Sequence, residues 1–596
     1  MEEKIFCPGR FLGLNENPDG DTKLKPGEAS VCRNFTVTRD GNLRRRAGTG
    51  LILELCPGEN VKGIWCGSVA GQQVTVCACG GKLWRIDSSG GVYSKTEMGA
   101  VDPELRPGFF GFSGKLYVLT GSGYCCWDGE SFGPVRGYRP ITYVAVPPSG
   151  GGERLEGENL LTGEKRVRFS PDGQSTVFIL PEKDILSVDY IKDLNTGENI
   201  PETAYSVNLS GGKITFASAP AEGVSSLEAG WTARNSRRGT VEKMRFSELY
   251  NGTQDSRVFL GGDGSNRIIY SGLDDSGEPR ADYFPVLNFI RAGEENEPVT
   301  GLIRHYSTLI CFKRHSAWSV RYGNLGLADG SVTGAFYCAP VNRSIGCEAP
   351  GQVQLVENSP RTLHGRDLFS WKNNNSYSSN LTMDERQARR ISDRVQKTLS
   401  GFDFARCVCF DDNYTQEYYI SCGDKCLVEN YACGAWYLYE GLSVTAFGRQ
   451  GARLLLGDSQ GRLLALSCAY RSDTGSPIEA RWESGSMGFG RDWRRKLSPC
   501  IWLGIKPETR AEVLVSLSTD RGVSRKKPVR SSLAAFSPVN FRHWSFATCR
   551  RPRIRRIKLR AGKFVYCRLV LESSSPETTA TVLASCMRVR FTGTAK

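Results

Sequence analysis

Residues 74–87 read Val74-Thr-Val-Cys-Ala-Cys-Gly-Gly-Lys-Leu-Trp-Arg-Ile-Asp87, which is two short apolar segments joined by a pair of glycines. A glycine turn between two short segments of this kind is typical of an antiparallel hairpin. A lone hairpin is barely stable in water, so more strands must pack against it. We therefore expect a fold built from β-strands.

Similar hairpins recur along most of the chain. They lie at residues 114–129, 257–272, 309–320, 417–439 and 454–465. Antiparallel hairpins at near-regular spacing are typical of a β-propeller. A β-sandwich and a β-solenoid are the alternatives that this pattern leaves open.

The hairpin pattern is interrupted twice, and each interruption contains alternating strands joined by Gly, Pro and Ser, as in a sandwich. The fold class expected is therefore all-β: a β-propeller with an inserted β-sandwich, a C-terminal β-sandwich and an extended N-terminal arm. The expected divisions are an arm at 1–50, first blades at 51–136, an inserted sandwich at 137–240, remaining blades at 241–475, and a basic C-terminal sandwich at 476–596.

One helix is expected, at about 383–400. Thr382 and Glu385 form a capping box, and Gly401 fits a C-cap. Apolar residues follow the capping box at three- and four-residue spacing, namely Ala388, Ile391, Val395 and Leu399. That spacing predicts one apolar stripe packed on the edge of the propeller, with a solvated basic face opposite. A helix that binds nucleic acid through its basic face is the less favoured alternative.

The sequence predicts no catalytic residue, cofactor site or metal site. Phosphate-binding glycine motifs are absent, and the four histidines are not spaced as nucleophile partners or as metal ligands. The 21 cysteines are odd in number and are expected to be reduced thiols. No run of 18 apolar residues occurs, so no membrane-spanning segment is expected.

Basic residues are concentrated in the last fifth of the chain. Residues 481–596 contain 25 Lys and Arg but 7 Asp and Glu, a net charge of +18. Such density attracts phosphates without reading their sequence, and an acidic protein ring or plain solvent are equal alternatives. The candidate basic surface comprises Arg521, Arg525, Lys526, Lys527, Arg530, Arg551, Arg553, Arg555, Arg556 and Lys558.

Turn-forming residues cut the first 50 residues into pieces too short to form a core of their own. This arm must therefore lie on the body of its own chain or on a neighbouring subunit. Its expected anchors are the apolar residues Phe11, Leu14, Leu24 and Phe35.

Three motifs in the arm resemble the N-terminus of phage tail nozzle proteins (tail tubular protein B-like), the β-propeller hubs of short-tailed phages. They are Gly13-Leu-Asn15, Pro26-Gly-Glu-Ala29 and Arg44-Arg-Arg46-Ala-Gly48. The segment Asn159-Leu-Leu-Thr-Gly163 resembles the opening of the family's inserted domain. The segment at 489–496 and the turn at 519–522 resemble parts of the family's C-terminal domain.

The resemblance implies a virion structural protein rather than an enzyme. It implies a six-fold homo-oligomeric ring below the head–tail adaptor and portal, assembled in the bacterial cytoplasm and in contact with tail fibres or other tail proteins. The ring would continue the exit channel of the genomic DNA and gate its release. The alternatives are a propeller that binds glycans or host surfaces and, less favoured, a propeller glycosidase with two carboxylates in a central cleft.

Overall fold

The computed structural model describes residues 2–16, 21–155, 157–234, 237–252, 254–326, 332–373, 386–533, 551–559 and 561–594. In these ranges the protein is almost entirely β-structure. The helices found there are two short α-helices, Gly239–Glu242 and Gln396–Leu399, and two 3-10 turns, Asp21–Lys23 and Glu202–Ala204. None of the helices described has the length and apolar character needed to cross a bilayer.

Seven sets of four antiparallel strands, called sheets 1 to 7 here in chain order, make up the largest part of the protein; six are separate four-stranded sheets, and the strands of sheet 6 belong to a larger eleven-stranded sheet. Sheet 1 contains Val61–Val69, Gln72–Cys79, Lys82–Ser89 and Val92–Ala100. Sheet 2 contains Gly108–Phe112, Lys115–Leu119, Tyr124–Trp127 and Phe132–Pro134. Sheet 3 contains Phe246–Asn251, Gln254–Gly261, Arg267–Tyr270 and Phe289–Arg291. Sheet 4 contains Val299–His305, Thr308–Lys313, Ala317–Gly326 and Val332–Asn342. Sheet 5 contains Gln354–Val356, Ser359–His364, Asp367–Asn373 and Arg386–Arg390. Sheet 6 contains Val408–Asp412, Glu417–Cys422, Lys425–Asn430 and Ala435–Glu440. Sheet 7 contains Val444–Gln450, Arg453–Asp458, Arg462–Ser467 and Gly48–Glu54.

The first strands of consecutive sheets lie against each other. Each first strand contacts the first strand of the next sheet, and that of sheet 7 contacts that of sheet 1. The fourth strand of sheet 7 comes from the N-terminal segment, because Gly48–Glu54 pairs with Arg462–Ser467. The hairpin predicted at 74–87 lies in sheet 1, where Thr75 pairs with Ile86 and Cys77 with Trp84.

Two further sheets occupy residues 141–233, between sheets 2 and 3. One contains Ile141–Val146, Glu153–Arg154, Glu164–Phe169, Ile185–Asp193 and Leu227–Ala233, and the other contains Val177–Ile179, Tyr205–Asn208 and Lys213–Phe216. Their inner faces share a core in which the rings of Phe169 and Phe178 lie 5.3 Å apart. This region is therefore a small two-sheet sandwich with a core of its own.

Buried Asn159 ties this sandwich to sheet 3. Its Nδ2 donates to the carbonyls of Tyr138 (2.8 Å) and Asp282 (2.9 Å), and its Oδ1 accepts from the amides of Leu161 (3.1 Å) and Phe284 (3.0 Å). All the ordinary hydrogen-bonding positions of one amide side chain are thus used. The Asn159-Leu-Leu-Thr-Gly163 motif therefore has a structural role at this junction.

The C-terminal region forms two sheets, and strands of the N-terminal segment lie in both. The first sheet contains Phe35–Val37, Leu43–Arg45, Thr581–Thr594, Arg494–Ile505 and Arg553–Ile557, with Glu3–Phe6 paired to Thr581–Thr594. The second contains Glu28–Arg33, Ala480–Ser484, Cys567–Ser573 and Ala511–Thr519, with Gly13–Leu14, Gly522–Val523 and Lys527–Ser531 at its edges, and it continues through Arg33 and Leu438 into sheet 6. The segment expected to be an arm is thus part of the sheets themselves.

Two residues of the Pro26-Gly-Glu-Ala29 motif have roles that no other residue type would fill easily. Gly27 has φ +92°, and a Cβ there would lie 1.9 Å from the Arg10 carbonyl oxygen. The buried carboxylate of Glu28 accepts from the Asn15 side-chain amide (3.0 Å) and from the Lys25 backbone amide (2.9 Å). The motif therefore holds Gly13–Leu14 parallel to the start of Glu28–Arg33.

The helix expected at about 383–400 is wrong over the described residues 386–400. Arg386–Arg390 is the last strand of sheet 5 and pairs with Asp367–Asn373, while Gln396–Leu399 alone is helical. The capping residues Thr382 and Glu385 lie outside the described residues. Pairing with a neighbouring strand satisfies the backbone hydrogen-bonding groups as well as a helix would. The helical spacing of the apolar residues therefore did not determine the secondary structure of this segment.

The cysteines are mostly, but not entirely, free thiols. Cys7, which directly follows Glu3–Phe6, forms a disulfide with Cys586 in Thr581–Thr594, 579 residues away in the sequence. This pair is an exception to the expectation of reduced cysteines. The other 18 cysteines in the described ranges are free, and burial raises the pKa of Cys79, Cys338, Cys347 and Cys409 to about 12. These thiols behave as small apolar side chains.

Candidate functional site

A cavity of about 950 Å³ lies where the first strands of the seven sheets meet. Every sheet contributes to its wall through a first strand or the loop before it. The contributing residues, in the order of sheets 1 to 7, include Val61, Gly108, Ser247, Gly301, Val353, Val408 and Val444. A cavity of this size accommodates a small molecule or a short oligomer.

The wall of this cavity carries charges of both signs. The cations are Lys62, Arg106, Arg245 and Arg406, and the acids are Glu104, Glu248, Asp403 and Asp424. Arg106 donates to the carbonyls of Cys407 (2.9 Å) and Arg406 (3.1 Å), and burial lowers the pKa of its guanidinium. This mixture suits a polar, neutral or zwitterionic ligand better than a polyanion.

Glu248 is an acid of the cavity wall whose pKa is raised. Burial raises the pKa of its carboxyl to about 7, and this effect is partly offset by the backbone amides of Leu249 and Arg304 and by the Arg304 guanidinium. Half of these side chains are therefore neutral near pH 7. An acid of this kind can donate or accept a proton at physiological pH.

Replacing Glu248 with Gln is expected to remove a pH-dependent loss of stability. A carboxyl whose pKa is raised in the folded state favours folding while it is protonated, and this contribution disappears as the pH rises through about 7. The variant should exceed the wild type by less than about 1 kcal/mol at pH 5 and by about 3 kcal/mol at pH 8. Thermal unfolding measured from pH 5 to pH 8 tests this, and Ser247→Ala should keep the wild-type pH profile. Parallel profiles for Glu248→Gln and the wild type would contradict the assignment.

The two predicted basic runs lie on or beside two neighbouring edge strands of the C-terminal sandwich. Lys527–Ser531 pairs on one side with Ala511–Thr519, Arg553–Ile557 pairs on one side with Arg494–Ile505, and the two edge strands contact each other. All ten predicted basic residues are exposed except Arg553, which is half-buried. The structure thus brings together residues that are more than 20 positions apart in the sequence.

Two of the ten basic residues are neutralised locally. Lys526 pairs with Glu572 (2.6 Å), and Arg530 pairs with Glu512 (2.9 Å). The other eight have no acidic partner among the described residues: Arg521, Arg525, Lys527, Arg551, Arg553, Arg555, Arg556 and Lys558. These eight residues are called the basic edge below. Their charges are available to an external anion.

Of the four predicted anchors, Phe11, Leu14 and Phe35 are buried within the chain's own core. The ring of Phe11 packs edge-on against Trp482, with centroids 5.1 Å apart. Leu24 is partly buried and lines a cavity of about 460 Å³ between the N-terminal segment and the C-terminal sandwich. These four residues therefore contact their own chain, without the need for a neighbouring subunit.

No protein-family model matches the chain, and no curated protein matches it either. Among solved structures, the computationally designed protein Ika8 matches with 8% identity and a TM-score of 0.30, over 70% of this chain and 99% of that one. The exo-β-1,3-galactanase of Phanerochaete chrysosporium with bound β-1,3-galactotriose matches with 8% identity and a TM-score of 0.19, over 57% of this chain and 95% of that one. Both TM-scores are too low to support an argument about fold or function.

Proposed function

We propose that sheets 1 to 7 are the blades of a seven-bladed β-propeller. The contacts between successive first strands, and between those of sheets 7 and 1, support this arrangement. The last blade would be completed by Gly48–Glu54 from the N-terminal segment, so that strands from both ends of the ring share one sheet. Such closure leaves few free sheet edges and makes a rigid scaffold.

On this scaffold, the protein would act as a tail nozzle or hub of a phage virion. The chain would assemble as a six-fold ring below the head–tail adaptor and continue the exit channel of the genomic DNA. Its action would be mechanical gating rather than catalysis. The motifs of the N-terminal segment support this assignment by their resemblance to the nozzle family, and their residues lie at the junction of the propeller and the C-terminal sandwich.

The observation that carries the proposal furthest is the basic edge. Eight cations without an acidic partner among the described residues, located on or beside two adjacent edge strands, favour a phosphate backbone or an acidic protein ring as partner. Repetition of the basic edge around a ring would make weak individual contacts strong collectively. A surface that contacts DNA without base readout also suits a channel through which DNA must slide.

Ring assembly by the purified full-length protein tests this function. We expect a species of six times the 65.7 kDa chain by mass photometry, and six-fold class averages by negative-stain electron microscopy. If assembly requires the ring above, the same species should appear on co-expression with the adaptor gene. A protein that stays monomeric in both experiments would contradict the nozzle assignment.

Binding of a glycan is the second candidate function, and the central cavity is the observation that favours it. Its wall offers polar side chains from six of the seven sheets or the loops next to their strands, which suits the hydroxyls of a sugar. A glycan array tests this function directly. Binding that is lost in Arg245→Ala but kept in a variant of the basic edge would favour the glycan function over the nozzle.

A further inference from the structure

Two of the four histidines of this chain lie next to each other and next to a carboxylate. His315 lies in the turn between the second and third strands of sheet 4, and His364 ends the second strand of sheet 5. Glu348 lies in the connection between the two sheets. One potential ligand atom from each of the three residues lies within 4.8 Å of the others. Residues 49 positions apart in the sequence are thus gathered at one point.

The backbone holds these three side chains in place. The Glu348 amide donates to the Leu363 carbonyl (2.7 Å), and the Gly365 amide donates to the Glu348 carboxylate (3.0 Å). Nδ1 of His364 lies 3.1 Å from the Arg314 carbonyl oxygen and 3.3 Å from the Glu348 carboxylate. A metal-binding histidine commonly donates its second ring nitrogen to a backbone carbonyl, and the Arg314 carbonyl is positioned for that role.

The turn that carries His315 is braced by a second carboxylate. Glu297 accepts from the His315 amide and from the Ser316 hydroxyl (2.9 Å), and it lies 3.8 Å from the buried Lys313 ammonium. The rings of His315 and His364 are 5.5 Å apart and nearly perpendicular. Because His315 is exposed while His364 and Glu348 are half-buried, one side of the cluster faces solvent.

We propose that His315, Glu348 and His364 form a binding site for a first-row divalent transition metal, with Zn²⁺ the ion that best fits the donors. Imidazole selects such metals over Mg²⁺ and Ca²⁺, and zinc is commonly held by three protein ligands with solvent in the remaining position. Ligands of tetrahedral zinc lie about 3.3 Å apart when the Zn–N distance is about 2.0 Å. The three side chains would therefore close by about 1.5 Å at most, and exposed His315 is free of packing that would prevent this rotation.

Such an ion would join sheet 4, sheet 5 and their connection through one coordination centre. The bound state would therefore resist separation of these sheets, and stability would rise with the zinc concentration by mass action. This stabilisation requires neither ring formation nor DNA. It is thus independent of the nozzle function proposed above.

Zinc titration of the tag-free full-length protein tests the site. Equilibrium dialysis and isothermal titration calorimetry should find one Zn²⁺ per chain that is absent in His315→Gln, and Tm should rise with zinc in the wild type alone. His315 is exposed, so its replacement should leave folding intact, and Glu348→Gln should weaken binding at least tenfold. Co²⁺ absorption in the visible range should report a site of low coordination number.

Two controls separate this site from other zinc ligands of the chain. His543→Gln should keep the wild-type affinity, as should the double variant of the exposed thiols, Cys433→Ser and Cys468→Ser. Binding that survives in His315→Gln and Glu348→Gln, or that is equally strong for Mg²⁺, would overturn the proposal. Absence of zinc binding would leave His364 hydrogen-bonded to the Arg314 carbonyl beside Glu348, and it would overturn the proposal as well.

Discussion

Replacing Arg46 with Ala should lower the free energy of unfolding by about 3–5 kcal/mol. The guanidinium is 1% exposed and meets both carboxylate oxygens of Asp473, at 2.9 and 2.5 Å. Its Nε also donates to the side-chain oxygen of Asn34 (2.8 Å), and it lies over the ring of Tyr439. Its removal leaves a partly buried carboxylate without its charge partner, which costs more than the loss of the hydrogen bonds alone.

Urea denaturation followed by tryptophan fluorescence measures this effect, since Trp482 is buried in a strand that follows Asp473 in the sequence. Arg44→Ala is the matched control, because Arg44 is exposed two positions earlier and should change stability by less than about 0.5 kcal/mol. The double variant Arg46→Ala, Asp473→Ala should lose less than the sum of the single losses. Equal stabilities of Arg46→Ala and Arg44→Ala would refute the role given to this pair.

Reversal of four charges on the basic edge should abolish the proposed binding to duplex DNA at physiological salt. The variant Arg525→Glu, Lys527→Glu, Arg553→Glu, Arg555→Glu replaces four cations that can bind phosphate with four anions that repel it. The slope of log K against log salt should become shallower by about 0.9 for each phosphate that the protein no longer neutralises. Lys526 is left unchanged, because a glutamate there would face Glu572 and destabilise the sandwich.

The control carries the same change of charge on other surfaces: Lys115→Glu, Lys183→Glu, Lys213→Glu, Lys243→Glu. These four lysines are exposed and lie outside the C-terminal sandwich. Fluorescence anisotropy with a labelled duplex at several salt concentrations compares the two variants. Equal weakening in both would mean that net charge alone governs binding. DNA binding unchanged by the reversal, combined with loss of ring attachment in assembly assays, would identify a protein partner instead.

The hairpins were predictable because the signals that form them are local. The Gly80-Gly81 turn and the alternation around it lie within 14 residues, and sheet 1 contains that hairpin. The position of the N-terminal segment was not predictable in the same way. Glu28–Arg33 pairs with Ala480–Ser484, more than 440 residues away, and a strand sequence does not name its partner. The short strands of the N-terminal segment indicated that it must pack on other elements, but they did not indicate that it contributes strands to three different sheets.

The errors concern interactions between distant residues. Ala388 has apolar helical neighbours in sequence, yet it lies in a strand because Trp371 is available as its pairing partner. Sequence spacing also could not predict the disulfide of Cys7 and Cys586 or the cluster around His364. Spacing motifs detect only cysteines or metal ligands that lie close together in the sequence. The basic edge was found because its two runs are dense in sequence, although their proximity in space was not predicted.

Completion of sheet 7 by Gly48–Glu54 also has a consequence for synthesis on the ribosome. Its partner Arg462–Ser467 is translated roughly 400 residues later, which takes about 20–80 s at ~5–20 residues per second. During that interval the early strand has no partner, and its neighbours Arg44, Arg45 and Arg46 supply charge that opposes aggregation. The segment Gly48–Glu54 must therefore stay soluble and unpaired in the nascent chain until Arg462–Ser467 leaves the ribosome.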